Sequence, residues 1–143
     1  MGYAMATIEK HFTRELVWLD AMAPCSEAAG LMQKWNVGSV AVRMRGQTVG
    51  LVTERDLALR VVAGGTPGSL PLGEVMRRDL PRAPMSASEK EVADVMREQG
   101  TRHLLVEQDG VVAGVISMRD VIRLMLDEKE FLIGQLQTYI DGR

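Results

Sequence analysis

The stretch "GLVTERD" at residues 50–56 returns as "GVISMRD" at residues 114–120, 64 positions further along the chain. Each copy has a glycine, a hydroxyl side chain three residues later and an aspartate three residues after that. The same shift of 64 aligns further identical pairs: Glu27 with Glu91, Ala29 with Ala93, Met32 with Met96, Val42 with Val106, Gly46 with Gly110 and Arg55 with Arg119. This shared register indicates an internal duplication of one structural unit.

Each half opens with a helical pattern. The segments "SEAAGLMQKWNV" and "SEKEVADVMREQG" carry apolar residues at helical spacing. Each begins with a serine suited to an N-cap, Ser26 or Ser88, and Gly100 stands where the second helix would stop. The pattern therefore predicts one amphipathic helix near the start of each repeat.

Two short apolar runs follow each helix and indicate a β-hairpin. The turns between the runs are Arg45-Gly46 and Asp109-Gly110, and the second is a strong two-residue hairpin signal. A second helix is predicted at about residues 54–63 and 118–128, with short extended lead-ins at 17–19 and 82–83. The resulting fold class is α+β (α/β), with two repeated helix-strand-strand-helix units.

A three-stranded sheet with helices on one face leaves its other face apolar, so two such units are expected to pack through their sheets. A Gly- and Pro-rich segment, "AGGTPGSLPLGEV", predicts the linker between them. We therefore expect a first repeat at 11–66, a second at 67–128 and an amphipathic helical tail at 129–143. The tail either packs on its own domain or forms a dimer contact.

Composition excludes several classes of protein. The net charge of −2 on 143 residues leaves no basic face for nucleic acid. No run of 18 apolar residues exists and the N-terminus lacks a secretory signal, so we expect a cytoplasmic protein without membrane insertion. Cys25 is the single cysteine and the two histidines are not clustered, which argues against a disulfide or a structural metal.

The repeated motif has a structural interpretation and a functional one. A hydroxyl followed three residues later by an acid is a capping box, and glycine inside a strand can mark a packing site. Alternatively, N–H groups at a helix start attract phosphate, an aspartate accepts from ribose hydroxyls, and an arginine can bind phosphate. A glycine one strand earlier lets a flat base approach the backbone. In this second interpretation the motif is part of a nucleoside phosphate site.

The motifs "GLVTERDL" and "GVISMRDV", each preceded by a hairpin and a helix, resemble those of a tandem pair of CBS domains, the regulatory module named after cystathionine beta-synthase. The resemblance runs from about residue 11 to residue 127. It implies pseudo-twofold packing of the halves around a cleft that holds AMP, ADP, ATP or S-adenosylmethionine. It also implies ribose contacts from Asp56 and Asp120, hydroxyl contacts from Thr53 and Ser117, and phosphate contacts from Arg55 and Arg119.

The two repeats depart from each other in two places. The second half has Arg102 and His103 at a position where the family often contacts phosphate, whereas the first half has Gly38 and Ser39. We therefore expect one tight site and one weak or empty site, although Arg102 can equally be a solvated charge and His103 a hydrogen-bonded, partly buried side chain. The first half also lacks the "EVM" of residues 74–76, so its lead-in is expected to pair differently.

No reactive constellation accompanies these motifs. The chain has no Walker lysine, no GxSxG elbow and no ligand-spaced metal set. The leading hypothesis is a non-catalytic sensor of an adenosine ligand, acting as a homodimer on a separate enzyme or transporter. A ligand-free dimerisation or protein-interaction module is the alternative, and an enzyme is the least favoured class.

Overall fold

The computed structural model describes residues 6–14 and 16–141. The chain forms two compact units. The first unit is Glu15–Leu80, and the second unit combines Met1–Arg14 with Pro81–Arg143. Each unit contains one three-stranded sheet and helices, as the duplication predicts.

The first unit has a sheet in the order β1-β2-β3. Strand β1 runs parallel to β2, and β2 pairs antiparallel with β3. Helix α1 lies between β1 and β2 in the sequence, and α2 follows β3 directly and continues as a π-helical turn. The bounds are β1 (Trp18–Asp20), α1 (Cys25–Trp35), β2 (Ser39–Met44), β3 (Gln47–Thr53), α2 (Glu54–Asp56) and the π-helical turn (Leu57–Val62).

The second unit repeats this arrangement in the order β4-β5-β6, again with one parallel and one antiparallel pair. Its last helix is much longer than its counterpart and continues as a single helix into the predicted tail. The bounds are β4 (Arg82–Pro84), α3 (Glu89–Gln99), β5 (His103–Gln108), β6 (Val111–Ser117) and α4 (Met118–Asp141).

Each unit has its own hydrophobic core, built from the inward residues of its strands and one face of its helices. Burial of these apolar side chains is the main force that holds each unit together. In the first unit the core includes Ala28, Met32, Val40, Val42, Val52, Leu72 and Val75. In the second unit it includes Ile8, Val92, Met96, Leu104, Val106, Ile116, Val121 and Leu124.

The two hairpin turns form as predicted. Arg45 and Asp109 have φ of 53°, and the glycines that follow, Gly46 and Gly110, have φ of 78°. Two consecutive residues with positive φ are what a type I′ hairpin turn requires, because its twist matches the twist of the strands.

The helix starts are confirmed in one repeat and corrected in the other. Ser88 caps α3 by accepting from the Glu91 N–H, and Gly100 ends the helix in the left-handed conformation. The prediction that Ser26 is an N-cap is wrong, since α1 begins at Cys25 after Pro24. The N–H groups of Cys25 and Ser26 donate to backbone carbonyls of the loop at residues 68–70, so a side-chain cap is not needed.

The lead-in segments pair in the same way in both units, and each extends back from the predicted lead-in, to residues 12–13 before residues 17–19 and to residues 76–77 before residues 82–83. Arg77 exchanges two backbone hydrogen bonds with Leu51, and Thr13 exchanges two with Val115. Thr13 and Arg77 are 64 positions apart, as are Leu51 and Val115. The expectation that the first lead-in pairs differently is therefore wrong, because main-chain pairing does not depend on the side chains of the "EVM" segment.

Within residues 6–14 and 16–141, no helix is both long and apolar enough to cross a membrane.

Candidate functional site

The two repeated motifs lie where a buried strand turns into a helix. We call residues Thr53–Asp56 the first junction, between β3 and α2, and residues Ser117–Asp120 the second junction, between β6 and α4. Strand and helix geometry brings each hydroxyl side chain close to the aspartate three residues later, and both junctions are in fact capped in this way.

At the first junction the aspartate is enclosed. Asp56 Oδ2 accepts from the Thr53 N–H at 3.0 Å, and Thr53 Oγ1 accepts from the Asp56 N–H at 3.1 Å. The other carboxylate oxygen, Oδ1, accepts from Arg77 Nε at 3.1 Å. Asp56 is only 2% exposed, so this ion pair is shielded on the carboxylate side. Both oxygens of Asp56 are thus held by groups of the same unit.

At the second junction the aspartate is held on one side. Asp120 Oδ2 accepts from the Ser117 N–H and from the Ser117 hydroxyl, each at 2.9 Å, and Ser117 Oγ accepts from the Asp120 N–H at 3.2 Å. In the described part of the chain no donor reaches Oδ1 of Asp120, which is half-buried. One carboxylate oxygen is therefore available to accept hydrogen bonds from a ligand.

The predicted basic residues surround the second junction unequally. His103 lies directly across the β5–β6 ladder from Ser117 and is half-buried. The Arg102 carbonyl accepts from the Met118 N–H at 2.8 Å, which places Arg102 beside the start of α4, with an exposed side chain. Arg119 is also exposed. At the first junction the matching positions are Ser39, across from Thr53, and the exposed Arg55.

The two strand glycines are packing sites. A Cβ at Gly50 would lie 2.8 Å from the Arg77 carbonyl oxygen and 2.8 Å from Met76 Sδ. A Cβ at Gly114 would collide with the Thr13 carbonyl oxygen and the Phe12 ring. The space beside each glycine is filled by the lead-in segment of its own unit, so the interpretation that a base approaches there is replaced by close backbone packing.

Motif reasoning missed Arg77, the side chain that pairs with Asp56 at the first junction. It lies 21 positions from Asp56, outside both copies of the motif. The repeat register does contain a signal, because the residue equivalent to Arg77 is Thr13, whose short side chain carries no charge. Thr101 was also missed: its buried hydroxyl bonds both to the His103 N–H and to the His103 carbonyl, which fixes the backbone at the start of β5.

Two further ionisable groups occupy equivalent positions at the helix starts. Burial raises the pKa of the Cys25 thiol at the start of α1, which lowers its reactivity. Burial, reinforced by the hydrogen bond and the charge of Glu128, raises the pKa of Glu89 at the start of α3 to about 7. Across the described residues, no group of three or more His, Cys, Asp or Glu side chains is arranged to hold a metal ion.

Comparisons with known proteins place this arrangement in a family. The model of the CBS domain matches residues 8–63 and 72–127. The CBS domain-containing protein YhcV of Bacillus subtilis is 28% identical over 117 residues, which cover 82% of this chain and 84% of the relative. A conserved protein from Pyrococcus horikoshii superposes with a TM-score of 0.79 at 30% identity, covering 83% of this chain and 91% of that one.

A third structure holds bound ligands. The CBS domain pair of protein MJ0100, in complex with 5′-methylthioadenosine and S-adenosyl-L-methionine, has a TM-score of 0.77 and covers 87% of this chain and 99% of that one. At 20% identity it is evidence for the shared fold only. The family match covers both repeats, and the repeats have the expected sheet and helices. The chain therefore belongs to the CBS domain family, with one domain in each repeat of its sequence.

Proposed function

We propose that this chain is a non-catalytic regulatory module that binds an adenosine ligand through its second junction. The observation that carries the proposal is the half-buried Asp120, which has one carboxylate oxygen engaged by Ser117 and the other without a donor among the described residues. A carboxylate in this state is suited to accept from both hydroxyls of a ribose, because each charge-assisted bond shielded from water contributes about 1.5–3 kcal/mol.

The neighbouring groups suit the phosphate end of a nucleotide ligand. Helix α4 is 24 residues long, so its dipole places a positive partial charge at its N-terminus, near Asp120. The exposed Arg102 and Arg119 add two cations beside that helix start. This combination of a sugar acceptor and an anion-binding helix start favours a nucleotide such as AMP, ADP or ATP, and S-adenosylmethionine shares its adenosine half.

The first junction is proposed to be the weak or empty site. A ligand hydroxyl can reach Asp56 only by displacing Arg77 from Oδ1, which would leave a guanidinium and a nearly buried carboxylate without their partners. Thr53 and Arg55 then act as a helix cap and a solvated charge. The expected stoichiometry is one ligand per chain.

Ligand binding can regulate only by favouring one state of the protein. We propose that the ligand stabilises one arrangement of the repeats or subunits, which requires a difference in its affinity for the two arrangements. The regulated enzyme or transporter is a separate molecule in this proposal. The cytoplasmic location and the lack of catalysis expected from the sequence stay predictions.

Isothermal titration with AMP, ADP, ATP and S-adenosylmethionine tests the proposal. We expect at least one ligand to bind with micromolar affinity, about −8 kcal/mol, and a stoichiometry of one. The complex of MJ0100 supports the inclusion of S-adenosylmethionine in the set. Absence of binding by all four ligands at millimolar concentration would overturn the proposal.

A ligand-free interaction module remains the second candidate, and the capping hydrogen bonds favour it. Thr53, Asp56, Ser117 and Asp120 each have a complete structural role in starting a helix. If Asp120→Ala lowers the thermal stability of a protein that binds no nucleotide, capping accounts for the motif and this second candidate replaces the first.

A further inference from the structure

We propose that two copies of this chain associate through an apolar face of α4, with the two helices antiparallel. We call this face the α4 stripe. It consists of seven exposed apolar side chains with Lys129 among them: Ile122, Met125, Leu126, Leu132, Ile133, Leu136 and Ile140. The proposal concerns a surface outside both junctions and does not depend on ligand binding.

The stripe is distinct from the face by which α4 is anchored in its own unit. Val121 and Leu124 are 0% and 2% exposed, and they belong to the core of the second unit. The stripe residues follow at spacings of three and four, which places them together on a neighbouring face of the helix. Helix α4 therefore carries two apolar faces, and only one of them is used within the unit.

The exposed area is large enough for a stable dimer. The seven apolar side chains of the stripe are between 39% and 62% exposed. At about 100 Å² each they present roughly 700 Å² per copy, and specific interfaces bury about 600–1,000 Å² per partner. Apolar patches of this size are unusual on the surface of a monomer and mark interaction sites. A second copy of the same helix supplies a matching apolar face of the same length.

The charge pattern selects the antiparallel orientation. The charged residues of α4 up to Glu130 include Asp127, Glu128 and Lys129, whereas residues 131–140 carry no charge. In a parallel pair the Lys129 ammonium groups of the two copies would lie opposite each other in the middle of the stripe, where like charges repel. In an antiparallel pair centred near residue 131, the charged half of each helix lies against the uncharged half of its partner. Like charges are then kept apart, and the Lys129 ammonium can extend to solvent.

Sedimentation velocity of the full chain tests the interface. We expect wild type to form a dimer at micromolar concentration, and Leu136→Glu to weaken the dimer about 100-fold or more because it places a charge within a desolvated apolar surface. The matched control is Thr138→Glu, which adds the same charge two residues away on the opposite face of the same exposed helix. The control is expected to dimerise like wild type.

The second variant, Ile133→Gln, guards against an effect of added charge alone and is expected to weaken the dimer about 10-fold. Three results would each overturn the proposal. They are a wild-type protein that is monomeric at a concentration of about 0.1 mM, a Leu136→Glu dimer as tight as that of wild type, and equal losses of dimer affinity in Leu136→Glu and Thr138→Glu. Circular dichroism confirms that the variants are folded.

Orientation is measured with a spin label on Gln137→Cys, since the native Cys25 is buried and its thiol does not compete for the reagent. In the antiparallel dimer the two labelled positions lie about 18 Å apart along the helix axes, because 12 residues at 1.5 Å each separate them. In a parallel dimer they lie about 10 Å apart, which is the distance between packed helices. The shorter distance would overturn the antiparallel arrangement.

Discussion

Each of the two junctions follows the second strand of a hairpin and has capping hydrogen bonds between its hydroxyl residue and its aspartate, but the junctions differ in the groups that bind the aspartate. Arg77 Nε donates to Asp56 Oδ1 at 3.1 Å, so the first carboxylate has partners on both oxygens. The residue equivalent to Arg77 in the second unit is Thr13, and Asp120 Oδ1 has no donor among the described residues. A single side chain on the lead-in segment thus separates a closed junction from an open one.

This comparison shows where duplicated repeats can diverge without loss of the fold. The hydroxyl and the aspartate are needed at both junctions because each starts a helix. The lead-in residue pairs with its strand through main-chain atoms alone, so its side chain is free to vary. We infer that positions 13 and 77 decide which junction receives a ligand, and the following predictions test that inference in order of decreasing effect.

The largest effect is expected from removing the available oxygen at the second junction. Asp120→Asn keeps one oxygen to accept from the Ser117 N–H, but it replaces the other by an NH₂ group that cannot accept from a ribose. We expect the affinity for the tightest of the four titrated ligands to fall about 10–150-fold, which corresponds to a loss of about 1.5–3 kcal/mol. Isothermal titration measures the change.

The matched control is the same substitution at the closed junction. Asp56→Asn is expected to leave ligand affinity unchanged while lowering the free energy of unfolding, since Arg77 loses a charged partner. If Asp56→Asn weakens binding as strongly as Asp120→Asn does, the two junctions are not functionally different and the comparison is wrong.

The second prediction opens the first junction. Arg77→Thr copies the side chain of the second unit into the first and frees Asp56 Oδ1. We expect the ligand stoichiometry to rise from one to two per chain. We also expect a loss of about 1.5–3 kcal/mol in the free energy of unfolding in urea, because a carboxylate that is 2% exposed loses its cation. A stoichiometry that stays at one after this loss would show that Arg77 only stabilises the fold.

The third prediction closes the second junction. Thr13→Arg introduces a guanidinium at an exposed position whose main-chain bonds to Val115 do not involve the side chain. We expect affinity to fall about 10-fold as the arginine competes for Asp120 Oδ1, and the effect to weaken at high salt. Thr13→Gln adds similar length without charge and serves as the control. Equal losses in both variants would indicate steric blocking in place of charge pairing.

The parts of the fold that follow local rules were predictable from the sequence. The Asp109-Gly110 turn needs two residues that tolerate positive φ, and Ser88 caps α3 through a bond to a residue three positions away. The pairing of hydroxyl and aspartate at each junction is equally local. Sequence alone therefore indicated the hairpin within each repeat and the positions of the two candidate aspartates.

The features that escaped prediction depend on contacts between distant parts of the chain. Helix α1 begins one residue before Ser26 because the loop at 68–70 supplies carbonyl acceptors for its first N–H groups. Asp56 is closed by Arg77, 21 positions away, and no motif connects the two. Local sequence patterns indicate which backbone N–H groups and carboxylates need a hydrogen-bond partner. The tertiary fold determines which distant residue, such as Arg77, supplies that partner.

The smallest predicted effect concerns the helix starts, where Glu89 in the second unit replaces Cys25 in the first. Glu89 faces Glu128 on α4, and Lys129 lines the same groove. Its pKa is raised from 4.5 to about 7 in the folded protein, mainly by burial, so the folded state holds the proton more tightly than the unfolded state. Stability is therefore expected to fall as pH rises from about 4.5 to 7, and to stay low above that range.

Glu89→Gln removes this dependence, because the amide is neutral at every pH. We expect Tm at pH 8 to rise by roughly 2–4 °C relative to wild type, and the difference to vanish near pH 4, where wild-type Glu89 is protonated in both states. The effect is small because the group is only partly buried and water screens its repulsion from Glu128. Thermal unfolding across this pH range measures it, with Cys25→Ser as the control at the equivalent helix start. A Tm difference that is the same at pH 4 and pH 8 would show that packing, and not the charge of Glu89, distinguishes the two helix starts.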